Sequence, residues 1–184
     1  MGAITYPRTY GRRRGKWWQK RNCLYLSIAA RGVIVVYKQW RFKQMQYQKR
    51  VREEYEQLRK DFDRKHRAEF LKRIAQEERD FLMAAGFGQA DFNLMEHGRP
   101  PRGYQVHHKI PIDDGGDNSE SNFLLIRNSP EHTALTSYQN MATMGMKEGE
   151  VRDLHFPVPE PGVFLYPPTT ALAETLPLWP QQKR

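Results

Sequence analysis

The chain has 184 residues, of which 39% are hydrophobic and 28% charged, and its mean hydropathy is −0.83. That length fits one ordinary domain with extensions, or two small domains, and no stretch reaches the ~18 uninterrupted apolar residues that a membrane span needs. The formal charge of +9 is N-terminal in origin, since residues 1–50 hold 13 Lys and Arg and no acid. The one cysteine, Cys23, excludes an intramolecular disulfide framework and any multi-cysteine zinc cluster. Metal chemistry is left to His, Asp, Glu or Asn.

Residues 1–21 read as a basic arm, too polar and glycine-rich to pack alone. Arg12, Arg13, Arg14 and Lys16, beside Trp17 and Trp18, suit neutralising phosphates and stacking on bases. The same charge suits a solvated tail or an anionic lipid surface. Residues 23–37, CLYLSIAARGVIVVY, are the most apolar window. Arg31 near its middle and its short length exclude a span, and the expectation is a β-hairpin or buried helix turning near Arg31–Gly32, with a peripheral membrane contact as the lesser alternative. This window belongs to a second segment, 22–86, that continues as a long amphipathic helix. From Gln39 to Ala85 the residues Tyr47, Val51, Tyr55, Leu58, Phe62, Phe70, Ile74, Phe81 and Leu82 recur at three- and four-residue steps, and Gly86 stands where a C-terminal cap belongs. A single helix of that length would run about 70 Å, so a bend or split is expected.

Residues 87–149 form the next segment, opening on a Gly- and Pro-rich linker with one short helix around Ala90–Glu96. After Gly149 the chain changes again: seven of its twelve prolines fall between Pro157 and Pro180, which predicts an extended Pro-rich tail over 150–184.

The chemistry concentrates between Tyr104 and Asn140. Tyr104–His108 alternates like a strand and ends in two adjacent histidines, Asp114–Asn118 carries a Gly-Gly turn, Phe123–Arg127 reads as a second strand, and Ser129–Pro130 can open a helix bearing His132. In this order the end of the first strand and the first turn of the helix converge. His107 and His132 could then share one divalent cation, while His108, on the other side of the strand, stays free to take a proton from water. Asp113, Asp114 and Asp117 lack the spacing of a calcium loop and read as turn residues.

The pattern H-H-x-x-P, G-G, N, then H over residues 103–136 resembles the HNH nucleases, the ββα-metal family that includes nuclease colicins, S-type pyocins, phage enzymes and the nuclease tips of polymorphic toxins. The resemblance implies that His107 and His132 are metal ligands, that His108 is the general base and that Asn122 holds the base in orientation. Lys109 and Arg127 are candidate phosphate contacts, with a surface salt bridge the equal alternative for each. The chain departs from the family twice: Thr136 stands where many members place a third ligand, and one cysteine cannot supply the CxxC pairs of a structural zinc.

The implied whole is an α+β protein with a helical N-terminal half, a C-terminal ββα-metal module and the Pro-rich tail. The implied activity is hydrolysis of phosphodiesters in DNA, or less readily RNA, with one divalent ion, Mg²⁺ first and Mn²⁺, Ni²⁺ or Zn²⁺ as alternatives. The toxin branch of the family further implies an antibacterial effector, cytoplasmic in its producer and secreted or delivered into target cells, guarded by an acidic immunity protein. A phage or mobile-element nicking enzyme is the second reading, and a non-catalytic nucleic-acid-binding protein the third.

Overall fold

A computed structural model of the chain describes residues 17–20, 23–28, 33–167 and 175–177, with side-chain surroundings for 36–167. Arg12, Arg13, Arg14 and Lys16 lie outside the described residues. The architecture is α+β. Strands β1 (Trp17–Lys20), β2 (Cys23–Ile28) and β3 (Val33–Lys38) pair antiparallel in sequence, with a late strand, Thr175–Pro177, added to β3. The apolar window is therefore the strand pair rather than the buried helix, with Ile28 opposite Val33. The arm is shorter than its composition suggests, because Trp17–Lys20 pairs with β2 along its whole length.

The helix expected from Gln39 begins only at Arg52. Trp40–Gln48 is instead β4, paired antiparallel over all nine residues with a strand at Val151–Pro159. Helix α1 (Arg52–Asp61) passes through one wider π turn, Phe62–His66, into α2 (Arg67–Glu77), which breaks at Glu78 before the short α3 (Arg79–Ala84). Gly86, at φ 96°, caps α3. Its N–H donates to the Met83 carbonyl and that of Phe87 to the Leu82 carbonyl, the paired bonds of a Schellman terminus. The short helix of the linker is α4 (Gln89–Glu96).

Strands β5 (Tyr104–His108) and β6 (Phe123–Arg127) pair antiparallel, and helix α5 (Thr133–Ala142) follows. The FLLI run of β6 is buried on both faces, as a continuous apolar strand should be. Phe123 and Leu125 join a core with Phe62, Phe70, Leu71 and Ile74 of the helical stretch, whereas Leu124 and Ile126 join Tyr37, Trp40, Leu135 and Tyr138. The boundaries drawn at 86/87 and 149/150 thus separate no cores; residues from both sides of each share one interior.

The segment after Gly149 is extended but is no tail as far as Tyr166. Val151–Pro159, β7, pairs with β4, and β8 (Leu165–Tyr166) lies parallel to β6. Phe156, Val158, Leu165 and Tyr166 are buried. Among the described residues no helix is long and apolar enough to cross a membrane.

Candidate active site

Alternation along β5 sends its two histidines to opposite faces of the sheet. His107, opposite Leu124, lies on the α5 side; His108, opposite Phe123, lies on the side of the helical stretch. His132 immediately precedes α5, where it is the N-cap. The rings of His107 and His132 meet edge-on with centroids 5.0 Å apart. Burial first, then His132 and His108, push the pKa of His107 down to about 3, and burial lowers that of His132. Both imidazoles are therefore neutral at pH 7, with lone pairs available to a cation.

Two side chains of α5 reach these lone pairs. Thr136 Oγ1 lies 3.1 Å from His132 Nε2, and Gln139 Nε2 lies 3.2 Å from His107 Nε2. Gln139 is buried at 7% exposure. The described residues hold no group of three His, Cys, Asp or Glu around a common point. The donor set is two imidazole nitrogens, with the Thr136 hydroxyl oxygen beside one and the Gln139 amide beside the other. That set fits a divalent cation that keeps part of its water shell.

On the other face His108 is 6% exposed. Its ring packs on Phe62 at 4.4 Å and Phe123 at 5.1 Å. Asn118 fixes it: the Asn118 Nδ2–H donates to the Leu58 carbonyl at 2.9 Å, which turns Oδ1 to His108 Nε2 at 3.0 Å. An amide oxygen only accepts, so Nε2 carries the ring proton and Nδ1 keeps the basic lone pair. Burial lowers the pKa of His108, and the Arg59 guanidinium lowers it further, against the Asn118 bond and the Asp117 and Asp63 carboxylates. Half-exposed Arg59 lies over the Phe62 ring at 5.4 Å and bridges to Asp63 at 3.0 Å.

Asn122 acts elsewhere than expected. Its Oδ1 accepts from Ile110 N–H at 2.8 Å and its Nδ2 donates to the Ile110 and Asp117 carbonyls, both at 2.9 Å. It clamps the loop between the strands, and Asn118, read from sequence as a turn residue, is the side chain that touches the base candidate. Of the two phosphate candidates, Arg127 takes the salt-bridge alternative. Arg127 makes a two-pronged pair with Glu131, which is fully buried, and Lys109 donates to the Ser121 carbonyl at 2.7 Å. Arg59, Asn118 and Gln139 were not singled out in the sequence. Gln139 alone left a trace there, because it lies seven residues after His132 and so on the same helix face.

The loop is braced from outside. Arg50 Nε donates to the Ile112 carbonyl at 2.6 Å and Nη2 to that of Gly116 at 2.9 Å, while Lys49 pairs with Asp113. Asp114 is buried at 4% exposure, with Oδ1 lacking a partner, and burial pushes its pKa up to about 8.

Among known proteins the chain is similar to the uncharacterized protein YhhZ of Escherichia coli strain K12, 35% identical over 123 residues. The match covers 66% of this chain and 30% of the relative's length, so the chain spans about a third of that protein. No family model and no solved structure matches the chain.

Proposed function

We propose that the chain is a metal-dependent phosphodiester hydrolase of the HNH type, acting as an endonuclease on DNA. The observation that carries this reading is the division of labour across β5: His107 meets His132 on one face, and neutral His108, oriented by Asn118, lies on the other. The strand–loop–strand–helix order of residues 104–142 supports the ββα-metal reading of this region.

In this mechanism His107 and His132 would hold one divalent ion, Mg²⁺ foremost, through unprotonated imidazole nitrogens. The ion, when bound, withdraws charge from the phosphoryl group and the departing oxygen. His108 accepts the proton of the attacking water at Nδ1, and the Nε2–H···Asn118 bond disperses the resulting positive charge. Arg59, whose charge reaches His108, is the cation suited to a substrate phosphate beside the base. Asn122 keeps the loop closed, so that Asn118 stays beneath the ring.

The biological setting proposed is that of an antibacterial effector neutralised in its producer by an acidic immunity protein. Supercoiled plasmid incubated with the purified chain tests the activity. Nicking that requires Mg²⁺ and stops with chelator is the expected result; intact plasmid across Mg²⁺, Mn²⁺, Ni²⁺ and Zn²⁺ contradicts it. Harmless expression of an active chain in a bacterial cytoplasm would favour the phage or mobile-element reading over the effector.

A further inference from the structure

Resting on the cation reading above, the geometry points to Gln139 as the third protein ligand. Three side chains of one α5 face, His132, Thr136 and Gln139, are spaced at four and then three residues, so they stack toward β5. Of the two that carry oxygen, Gln139 reaches across to the strand histidine and Thr136 touches only its own helix neighbour. The rings of the two histidines meet edge-on at 5.0 Å, and Gln139 is the α5 side chain whose terminal amide lies against the strand histidine of that pair.

Burial strengthens the inference. An amide held at 7% exposure has shed its water and needs partners for both ends. Its Nε2–H now caps the His107 lone pair, the lone pair a cation would take. Rotation about the last side-chain bond exchanges Nε2 for Oε1 without moving the backbone, and presents an acceptor oxygen where a donor stood. A neutral oxygen beside two imidazoles leaves the cation's full charge for the phosphate. It also favours a hard divalent ion more than a third histidine would.

Calorimetric titration of the full chain with Mn²⁺ tests this. Gln139→Ala should weaken binding by about 10-fold or more, the scale on which even the supporting partners of metal ligands act. Gln139→Glu, of the same shape, should bind Mn²⁺ at least as tightly as the wild type. Thr136→Ala should stay within about 2-fold, and thermal melts identify any variant that fails to fold. Wild-type affinity in Gln139→Ala, or loss of affinity in folded Gln139→Glu, overturns the assignment, since a merely structural amide would shift the melt alone. Should Gln139→Ala not fold, the Gln139→Glu result decides. If His107→Ala also binds normally, or the wild-type chain binds no cation, the two-histidine site falls as well; if only the Gln139 variants miss their expected values, the inference falls and the site stands.

Discussion

His108 and Asn122 look like partners in the sequence, but Asn118 is the residue in contact. This predicts a separation between two asparagine variants. Asn118→Ala should release the His108 ring and lower turnover, and, removing two bonds made by a half-buried side chain, should lower the melting temperature less than the loss of Asn122 does. Asn122→Ala removes three bonds made by a buried side chain and should lower stability by a few kcal/mol, at about 1 kcal/mol or more for each group left unsatisfied. Equal melting temperatures for the two variants would contradict this assignment of roles. Asp114 supplies a second test. Its carboxyl is protonated in the fold up to about pH 8 and ionised in the unfolded chain above about pH 4. The unfolded state therefore binds fewer protons between those limits, and stability should fall as pH rises through that window, by at most about 1.4 kcal/mol per unit. Asp114→Asn should flatten that slope and be the more stable protein at pH 7, as urea titrations at pH 5 and 8 would show.

Elements were legible where one pattern ran unbroken. Strand β6 announced itself as FLLI, β5 by its alternation, and the helix from Arg52 by its three- and four-residue steps. Strand β4 was hidden because its buried positions change parity: Trp40 and Phe42 pack with Tyr138, whereas Met45 and Tyr47 pack beside Phe156. That slip mimics a helical step. Strand β7 was hidden by Pro157 and Pro159, which read as breakers. They stand opposite Phe42 and Trp40 in a two-stranded ribbon, and such an edge tolerates residues that lack an N–H. The loop between β5 and β6 is the element most exposed to a single change. A Cβ at Gly116 would meet the Ile110 carbonyl oxygen at 2.0 Å, so Gly116→Ala must displace backbone that Asn122 and Arg50 hold. Loss of cleavage together with a lowered melting temperature is expected. A Gly116→Ala protein with wild-type melting and rate would show the loop to be less constrained than its contacts imply.

At the scale of the molecule, the candidate site is supported by chain distant from it in sequence. The Tyr37 hydroxyl donates to the Glu131 carbonyl, next to His132, and Tyr166 stacks on Tyr37 at 5.3 Å. The Tyr138 hydroxyl of α5 donates to the His155 carbonyl at 2.5 Å. Neither link was readable, because each joins residues whose neighbourhood only the fold creates. A chain ended at residue 149 should accordingly fail to fold. It loses the nine-residue partner of β4 together with Phe156, Val158, Leu165 and Tyr166, and truncating a single buried aromatic already costs about 3–5 kcal/mol. A cooperative melt in the truncated protein would show that β7 and β8 are appendages.

In the proposed reaction His108 activates water beside a cation held by His107 and His132, and one comparison separates these roles. Plasmid cleavage in Mg²⁺ and Mn²⁺ affinity are measured on the same preparations of wild-type and His108→Ala protein. Cleavage should fall about 10²–10⁴-fold, the loss typical of a general base, while Mn²⁺ affinity stays close to wild type and a cooperative melt shows that the variant folds. Near-normal cleavage by folded His108→Ala would remove His108 from the role of base.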